Sequence, residues 1–508
     1  MTMPRISLFF ALLATSASGA LAQPAPLFRP NRVLGGTPPR RRMNALATVL
    51  LVACGACTST SPVADLIIRD ASVFDARTGR VASHQMVVVR DGVIDAVVPD
   101  GDAGLPRARA TVEAQGRLLT PGFFDVHYHT DDVLGDSMNT TGGAIARLSM
   151  DPASIARYRR AVAALYLPYG VTVIREAGGP DESLPLMRAW MDRVPWAPDA
   201  YPSGGALVSF DEGREPYPGH TVVRDPDDAR RVVRAYHDAG FRHVKLYWRL
   251  REPEFRAALE QADALGMVPY AHVDNGVVSV DDALRWGLRR FEHAHTLAVS
   301  VLRPDELADV WQRTQTEILE GDPRGAFFMA VMERFNELGD DDPRMVGLVD
   351  RLAEADSFVT PTLQAIAGPL GVSSFQTPPP SEFADTSGWT EEQRARAHRG
   401  YRVFASYVRR LHEAGVTLAL GTDTPEPGRS ALAEMLLLHD AGISMADTLQ
   451  IATLNSARSL GLDDLYGTVE PGKRADFVLF DESPLDRPSA LLGPKTVIKD
   501  GVTYAGMP

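Results

Sequence analysis

Cysteine is almost absent from this sequence. Only two of its 508 residues are cysteines, Cys54 and Cys57, and both lie close to the N-terminus. A disulfide framework is therefore excluded for everything that follows them. The two form a Cys-x-x-Cys pair, but this pair lacks the strand–helix–strand setting that a redox motif needs. We therefore assign the pair no redox role.

Positive net charge and long apolar runs are also lacking. The chain has 65 Asp and Glu residues against 52 Lys and Arg residues, and its formal net charge is -13. Because nucleic-acid-binding surfaces are normally basic, this balance argues against a nucleic-acid partner. No interior segment is apolar over the length that a membrane span requires. The apolar fraction of 45% and the charged fraction of 23% are those of an ordinary globular protein.

Residues 1–57 are set apart because they resemble bacterial export signals. One signal has Arg5, an apolar run over residues 8–13 and a small-residue end before Gln23. The second has three arginines at 40–42, an apolar run over residues 45–53 and then Cys54. Its end, Leu-Val-Ala-Cys, resembles a lipobox in which Cys54 accepts the lipid. We expect this segment to lie outside the folded body.

Two signals in tandem are more than export requires. Translation that starts downstream, at Met43 or at Val33 through an alternative start codon, would leave only the second signal. The sequence thus predicts an exported protein of a Gram-negative-type bacterium. It would be periplasmic, or an outer-membrane lipoprotein attached to the membrane through lipidated Cys54.

Short β segments occur near both ends of the chain. Residues 66–70, 86–90 and 93–98 are rich in β-branched side chains, and Asp91-Gly92 between the last two is a strong hairpin signal. Residues 476–480 and 496–504 follow the same pattern. We therefore predict a small β-sandwich domain built from residues 58–119 and 465–508.

The centre of the chain, residues 120–464, alternates apolar runs with helical patterns. Eight runs are typical of strands: the one that leads into His127, and residues 170–174, 206–210, 243–246, 268–272, 290–292, 358–361 and 416–421. Such alternation favours a parallel sheet, and eight units over this length predict a (β/α)8 TIM barrel. Residues 303–356 are helix-like, and either cap the mouth of the barrel or serve only as a packing insertion.

Chemically distinctive residues stand at or just after the ends of these runs: His127, His129, Lys245, His272, His293 and Asp423. Strand ends at one face of a parallel barrel bring such side chains together. On a strand, residues i and i+2 point to the same side, so His127 and His129 can reach one metal ion. Histidine and carboxylate are common metal ligands. The pattern predicts a metal site with hydrolytic chemistry.

Lys245 is unusual because it interrupts an apolar strand, where burying an ammonium group is costly. It could snorkel to the surface or form a salt bridge. Alternatively, the neutral amine captures carbon dioxide, and the resulting carbamate bridges two cations with its two oxygens. Nearby positive charge would favour both the neutral amine and the carbamate anion.

Further motifs accompany these residues. They are Thr120-Pro121-Gly122 before the first histidines, Glu292-His293, Pro361-Thr362-Leu363, Gly421-Thr422-Asp423, residues 452–457 and residues 467–476. With these motifs the chain resembles the amidohydrolase superfamily over nearly all of its length after residue 64. More narrowly, it is similar to metal-dependent amidohydrolases related to imidazolonepropionase and to bacterial Xaa-Pro and other dipeptidases.

The resemblance implies a role for each ligand. His127, His129 and Asp423 would hold the more buried of two divalent ions, His272 and His293 the second, and carbamylated Lys245 would bridge them. Zinc is the expected metal, although the ligands do not exclude manganese. Asp423 would also move protons in catalysis. Relatives more often carry aspartate where this chain has Glu176, which leaves the role of Glu176 open.

The predicted function is hydrolysis of an amide or peptide bond in a small molecule such as a dipeptide or an N-acyl amino acid. His220 and Tyr247, near strand ends, are candidate substrate contacts. The same ligand set also suits cyclic amides, lactones and phosphotriesters. A binding lipoprotein without catalysis is a further alternative, which the complete ligand set disfavours. The sequence is compatible with a homo-oligomer.

Overall fold

The computed structural model of the chain describes residues 63–101, 106–134, 149–212, 220–274, 277–319, 325–373, 375 and 385–505. The predicted export signals and Cys54 lie outside the described residues. None of the helices in the described part combines the length and the hydropathy of a membrane span.

Strands and helices alternate through most of the described chain. The strands are β1 (Ala64–Asp75), β2 (Arg80–Arg90), β3 (Val93–Pro99), β4 (Ala108–Glu113), β5 (Leu118–Pro121), β6 (Phe123–Tyr128), β7 (Val171–Glu176), β8 (Asp199–Ala200), β9 (Ala206–Ser209), β10 (His220–Val223), β11 (His243–Leu246), β12 (Val268–Ala271), β13 (Arg290–Glu292), β14 (Phe358–Thr360), β15 (Thr417–Leu418), β16 (Phe477–Phe480), β17 (Lys495–Lys499) and β18 (Val502–Ala505). The α-helices are α1 (Thr130–Leu134), α2 (Pro152–Tyr166), α3 (Leu184–Trp190), α4 (Pro226–Asp238), α5 (Glu252–Ala264), α6 (Val280–Arg285), α7 (Leu297–Val301), α8 (Pro304–Leu319), α9 (Ala326–Leu338), α10 (Pro343–Glu354), α11 (Leu363–Leu370), α12 (Glu391–Glu413), α13 (Pro427–Asp440), α14 (Met445–Gln450) and α15 (Ser456–Ser459).

The two ends of the described chain share one sheet of eight strands. Its order is β18-β17-β16-β5-β1-β2-β3, and β4 pairs with β1. Strand β5 joins the two sets, because it runs parallel to β1 and antiparallel to β16. The hairpin predicted at Asp91-Gly92 connects β2 to β3, and both turn residues have positive φ as a tight hairpin requires. The division into a separate sandwich domain stays a prediction.

Two parallel sheets carry the alternating part of the chain. One has the order β6-β7-β8 and the other β10-β9-β11-β12-β13-β14-β15. All eight predicted strands are present, and the short strands β8 and β10 are additional. The α/β architecture with parallel strands is thus confirmed.

Closure into one barrel was also predicted, but the pairing of the described strands does not form a continuous ring. Strand β15 ends after two residues, and the chain beyond it follows β6 through separate hydrogen bonds rather than a ladder. Val126 N donates to Leu420 O over 2.8 Å, and Asp423 N donates to His127 O over 2.8 Å. These bonds bring the last strand of one sheet beside the first strand of the other.

Helices cover the parallel sheets, and their ends follow local signals. Helix α12 starts at a capping box in which Thr390 and Gln393 bond each other's backbone N–H groups, and Gly415 follows its end at φ 94°. The predicted helical insertion is present as α8, α9 and α10, between β13 and β14. Helix α9 packs against α12, which anchors the insertion to the parallel-sheet layer.

A buried lysine joins the terminal sheet to the parallel layer. Lys499 in β17 is fully buried. Its Nζ lies 3.1 Å from Asp199 in β8, 3.5 Å from Asp476 and 2.8 Å from Asp500. Burial alone would lower the pKa of Lys499, but the three carboxylates outweigh it and raise that pKa above its usual value. Arg193 lies 3.4 Å from Asp199 and also pairs with Asp500, so Lys499 shares these two carboxylates with a second cation.

Replacing Lys499 with methionine is expected to destabilise the protein by about 3–5 kcal/mol, because it removes the cation that pairs with the buried carboxylate of Asp476. The midpoint of urea unfolding, followed by circular dichroism, measures this loss. As a control, Arg77→Met removes the exposed pair with Glu470, whose side chains are 45% and 39% exposed. This control should cost less than about 1 kcal/mol. Equal losses in both variants would contradict the assignment.

Candidate metal centre

The six predicted ligands all lie at the carboxyl ends of parallel strands. His127 is in β6 and His129 directly follows it, Lys245 is in β11, His272 and His293 directly follow β12 and β13, and Asp423 comes after β15. His293 and Asp423 have φ values of 61° and 52°. Residues other than glycine seldom adopt this region, and such strained positions cluster at functional sites.

His127, His129 and Asp423 form one compact group. One ligand atom from each lies within 4.8 Å of the others. Asp423 Oδ1 is 3.7 Å from His127 Nε2 and 3.5 Å from His129 Nε2. Two imidazoles and a carboxylate are a donor set suited to zinc and related ions. This group could therefore hold one divalent ion.

The other two histidines continue from this group. The ring of His293 lies 4.5 Å from that of His127 and 4.7 Å from that of His272, measured between centroids. His293 Nδ1 is also 3.6 Å from Asp423 Oδ2. Of the two oxygens of Asp423, Oδ1 thus lies near His127 and His129, and Oδ2 lies near His293.

Lys245 is buried beside these rings. Its Nζ has no hydrogen-bond partner among the described residues and lies 5.0 Å from the ring centroid of Tyr270. Burial lowers the pKa of Lys245 to about 8, and Arg175 adds to this effect while Glu292 and Asp423 oppose it. A pKa near this value leaves about one lysine in ten uncharged at pH 7. The amine therefore has the reactivity that carbamate formation requires.

Three of the imidazoles are held in the neutral form by their surroundings. Burial, aided by the charge of Lys245, holds the pKa values of His127 and His272 well below the ordinary value, and burial does the same for His293. Within the part of the chain that the structure describes, His127 Nε2 and His272 Nδ1 have no hydrogen-bond partner. Buried polar atoms are normally paired, so unpaired nitrogens among neutral rings fit a bound metal ion.

Glu292 orients His127, a role that sequence reasoning missed. Glu292 Oε2 lies 2.5 Å from His127 Nδ1, and Arg175 donates to Oε1 over 2.6 Å. Because Nδ1–H of His127 donates a hydrogen bond to this carboxylate, Nε2 is the ring nitrogen that can bind a metal ion. The signal in the sequence was the glutamate directly before a candidate ligand, but its partners lie more than a hundred residues away.

Asp125 is a second residue whose role was missed. Its fully buried carboxylate accepts hydrogen bonds from His127 N, Thr422 N, the Thr422 hydroxyl and the Tyr166 hydroxyl, over 2.7–3.1 Å. Burial raises its pKa to about 7 against these bonds. Asp125 thus holds the loop that carries Asp423 next to the strand that carries His127.

Glu176, whose role the sequence left open, lies beside His129. Glu176 Oε1 is 3.7 Å from His129 Nδ1, and Oε2 accepts Thr130 N over 2.8 Å. The side chain of Glu176 therefore reaches the histidine.

The two predicted substrate contacts lie on the side of His272. The ring of Tyr247 is 5.0 Å from that of His272, and His220 is 4.7 Å from Tyr247. His220 is the first residue of β10 rather than part of a loop. On another side, His295 lies 5.5 Å from His293, and Phe327 of α9 is 6.3 Å from His295. Helix α9 of the insertion thus borders the histidine set.

Comparison with known proteins gives the same picture from independent observations. Residues 389–504 match the Amidohydrolase family. An imidazolonepropionase from Geobacillus kaustophilus is 33% identical over 115 residues, which cover 20% of this chain and only 27% of that protein.

Solved structures resemble nearly the whole described fold. Ochratoxinase from Aspergillus niger has a TM-score of 0.60 at 19% identity, covering 88% of this chain and 97% of that one. A prolidase complexed with N-methylphosphonate-L-proline has a TM-score of 0.61 at 20% identity, covering 87% and 100%. The architecture is a TIM-barrel-like α/β fold with parallel strands. Residues 389–504 are thus similar to the Amidohydrolase family, and the likeness to the solved structures shows the shared fold.

Proposed function

We propose that this protein hydrolyses an amide or peptide bond in a small substrate such as a dipeptide or an N-acyl amino acid. The observation that carries the proposal is the convergence of five metal-ligand side chains and one buried lysine at strand ends. The match of residues 389–504 to the Amidohydrolase family and the likeness of the fold to a prolidase support the choice of bond.

We assign two divalent ions to the centre and expect zinc. His127, His129 and Asp423 would hold one ion, and His272 and His293 the other. Lys245, converted by carbon dioxide to a carbamate, would contact both. The unpaired Lys245 Nζ and the unpaired ring nitrogens support this assignment.

Two such ions would activate a water molecule and polarise the carbonyl of the substrate. The protein's own part is proton transfer by Asp423. Burial raises the pKa of this carboxyl above its usual value, against the lowering effect of His129 and Lys245. Asp423 can therefore accept the proton of the attacking water and later give it to the leaving amine.

The charge of the proposed centre favours anionic substrates. Two divalent ions against a carbamate, Asp423 and a hydroxide leave about one net positive charge. A carboxylate near the scissile bond, as in a dipeptide, would complement this charge. His220 and Tyr247 would contact the substrate beside His272, and Phe327 would border the opposite side.

Asp423→Asn is expected to lower turnover about a hundredfold to ten-thousandfold, because an amide cannot accept the proton. The assay is release of amino acid from pooled dipeptides and N-acyl amino acids by zinc-loaded protein supplied with bicarbonate. Asp350→Asn, an exposed carboxylate on α10, is the matched control and should retain activity. Equal rates in Asp423→Asn and the wild type would contradict the proposal. No release at all by the wild type would redirect it to cyclic amides, lactones or phosphotriesters.

The carbamate makes metal content depend on bicarbonate. Metal-free protein reloaded with zinc and bicarbonate should hold about two ions per chain, and Lys245→Ala should hold about one. Elemental analysis after gel filtration measures both. Reloading the wild type without carbon dioxide should reproduce the lysine variant. Two ions in Lys245→Ala would rule out a bridging carbamate.

Export and lipidation at Cys54 are part of the proposal. Mass analysis of the mature protein from its native membrane fraction should find a lipidated N-terminal Cys54, and Cys54→Ser should abolish lipidation. A mature N-terminus at Gln23 would contradict lipidation, although not export.

A further inference from the structure

The loop after β14 holds a threonine in an unfavourable backbone conformation. Thr362 has φ 52° and ψ 48°, in the left-handed region, and is fully buried. A β-branched side chain is a rare occupant of this region, where glycine or asparagine is ordinarily found. A threonine that persists here points to a use for its side chain.

That side chain contacts a predicted metal ligand. Thr362 Oγ1 lies 3.1 Å from His293 Nδ1. The two backbones are also joined, since His293 N donates to Thr360 O over 2.9 Å and Ala294 N donates to Pro361 O over 3.3 Å. The loop therefore fixes both the backbone and the ring of His293.

A buried carboxylate holds this loop from behind. Glu434 in α13 is fully buried, and its two oxygens accept Leu363 N over 2.9 Å and Gln364 N over 2.6 Å. These are the first two N–H groups of α11, which have no partner within the helix. Because α11 begins directly after Thr362, Glu434 sets the position of the threonine.

We propose that Thr362 is a positioning residue for His293 and that Glu434 holds Thr362 in place. The threonine hydroxyl accepts a hydrogen bond from Nδ1–H of His293, and Nε2 is then the ring nitrogen that would bind the second ion. This inference rests on the two-metal centre proposed above.

The arrangement also protects Asp423. His293 Nδ1 lies 3.6 Å from Asp423 Oδ2, farther than from Thr362 Oγ1. If His293 Nδ1–H donated its hydrogen bond to Asp423 instead, one oxygen of Asp423 would be occupied by that bond. With Thr362 as acceptor, Asp423 keeps both oxygens for metal and proton transfer.

The test measures the affinities of the two ions separately, by titrating metal-free full-length protein with cobalt(II) against a competing chelator. Thr362→Val keeps the shape of the side chain and removes the hydroxyl. It should lower the affinity for the second ion about 10–100-fold and leave the affinity for the first ion nearly unchanged. Thr362→Ser, which keeps the hydroxyl, should restore the second ion. Glu434→Gln, which keeps only one acceptor oxygen, should also weaken the second ion selectively.

Controls separate this inference from general damage and from the proposed function. Thr448→Val removes a buried hydroxyl without a partner in α14 and should change neither affinity. If Thr362→Val fails to fold, Thr362→Ala compared with Thr362→Ser isolates the hydroxyl. The positioning role would be overturned if the hydroxyl-free variants bound both ions with unchanged affinity, or if both affinities fell equally. Retention of both ions by His293→Asn would overturn the role of His293 as a ligand of the second ion, and the inference with it. Binding of only one ion by the wild type would overturn the two-metal centre itself.

Discussion

The candidate centre depends on one buried carboxylate, that of Asp125. His127 lies in the first strand of one sheet and Asp423 in the segment after the last strand of the other. No ladder joins these two strands in the described chain. In place of a ladder, the carboxylate of Asp125 accepts hydrogen bonds from the N–H and the hydroxyl of Thr422 and from the N–H of His127. A carboxylate is suited to this task because its two oxygens can accept several donors at fixed angles. Its bonds add to the hydrogen bond that Asp423 N donates to His127 O over 2.8 Å, and together they hold Asp423 next to His127.

The same device recurs around the site. Glu292 joins β13 to His127 and to Arg175, and Glu434 joins α13 to the start of α11. Each is a buried acidic side chain whose oxygens bond other elements: β6 and β7 for Glu292, and the start of α11 for Glu434. Burying such a group is costly unless every oxygen is satisfied, so each also specifies one arrangement of its partners. The strained backbones of His293 and Asp423 are held by this surrounding network rather than by local sequence.

The sequence revealed the ligands better than their supports. His127-x-His129 and Lys245 stood out because they interrupt apolar strands, and strand ends in parallel sheets predict where they meet. The roles of Asp125, Glu292 and Glu434 were not predictable, since each depends on partners far away along the chain; Glu434 lies 71 residues from Leu363. Barrel closure was overestimated for a related reason. Periodicity identifies β15 as a strand but cannot show that its ladder stops after two residues.

The charges around Lys245 bear on how the proposed centre would assemble. Arg175 donates to Glu292 and lies 3.5 Å from the ring centroid of Tyr270, on which Lys245 Nζ also lies. Protonated Lys245 and Arg175 offset the charges of Glu292 and Asp423, and Glu176 beside His129 adds a further buried carboxylate. Carbamate formation alone would bury excess negative charge, and metal binding alone would place divalent ions beside an ammonium group. Each step removes the electrostatic cost of the other, so carbamate formation and metal binding should be strongly coupled.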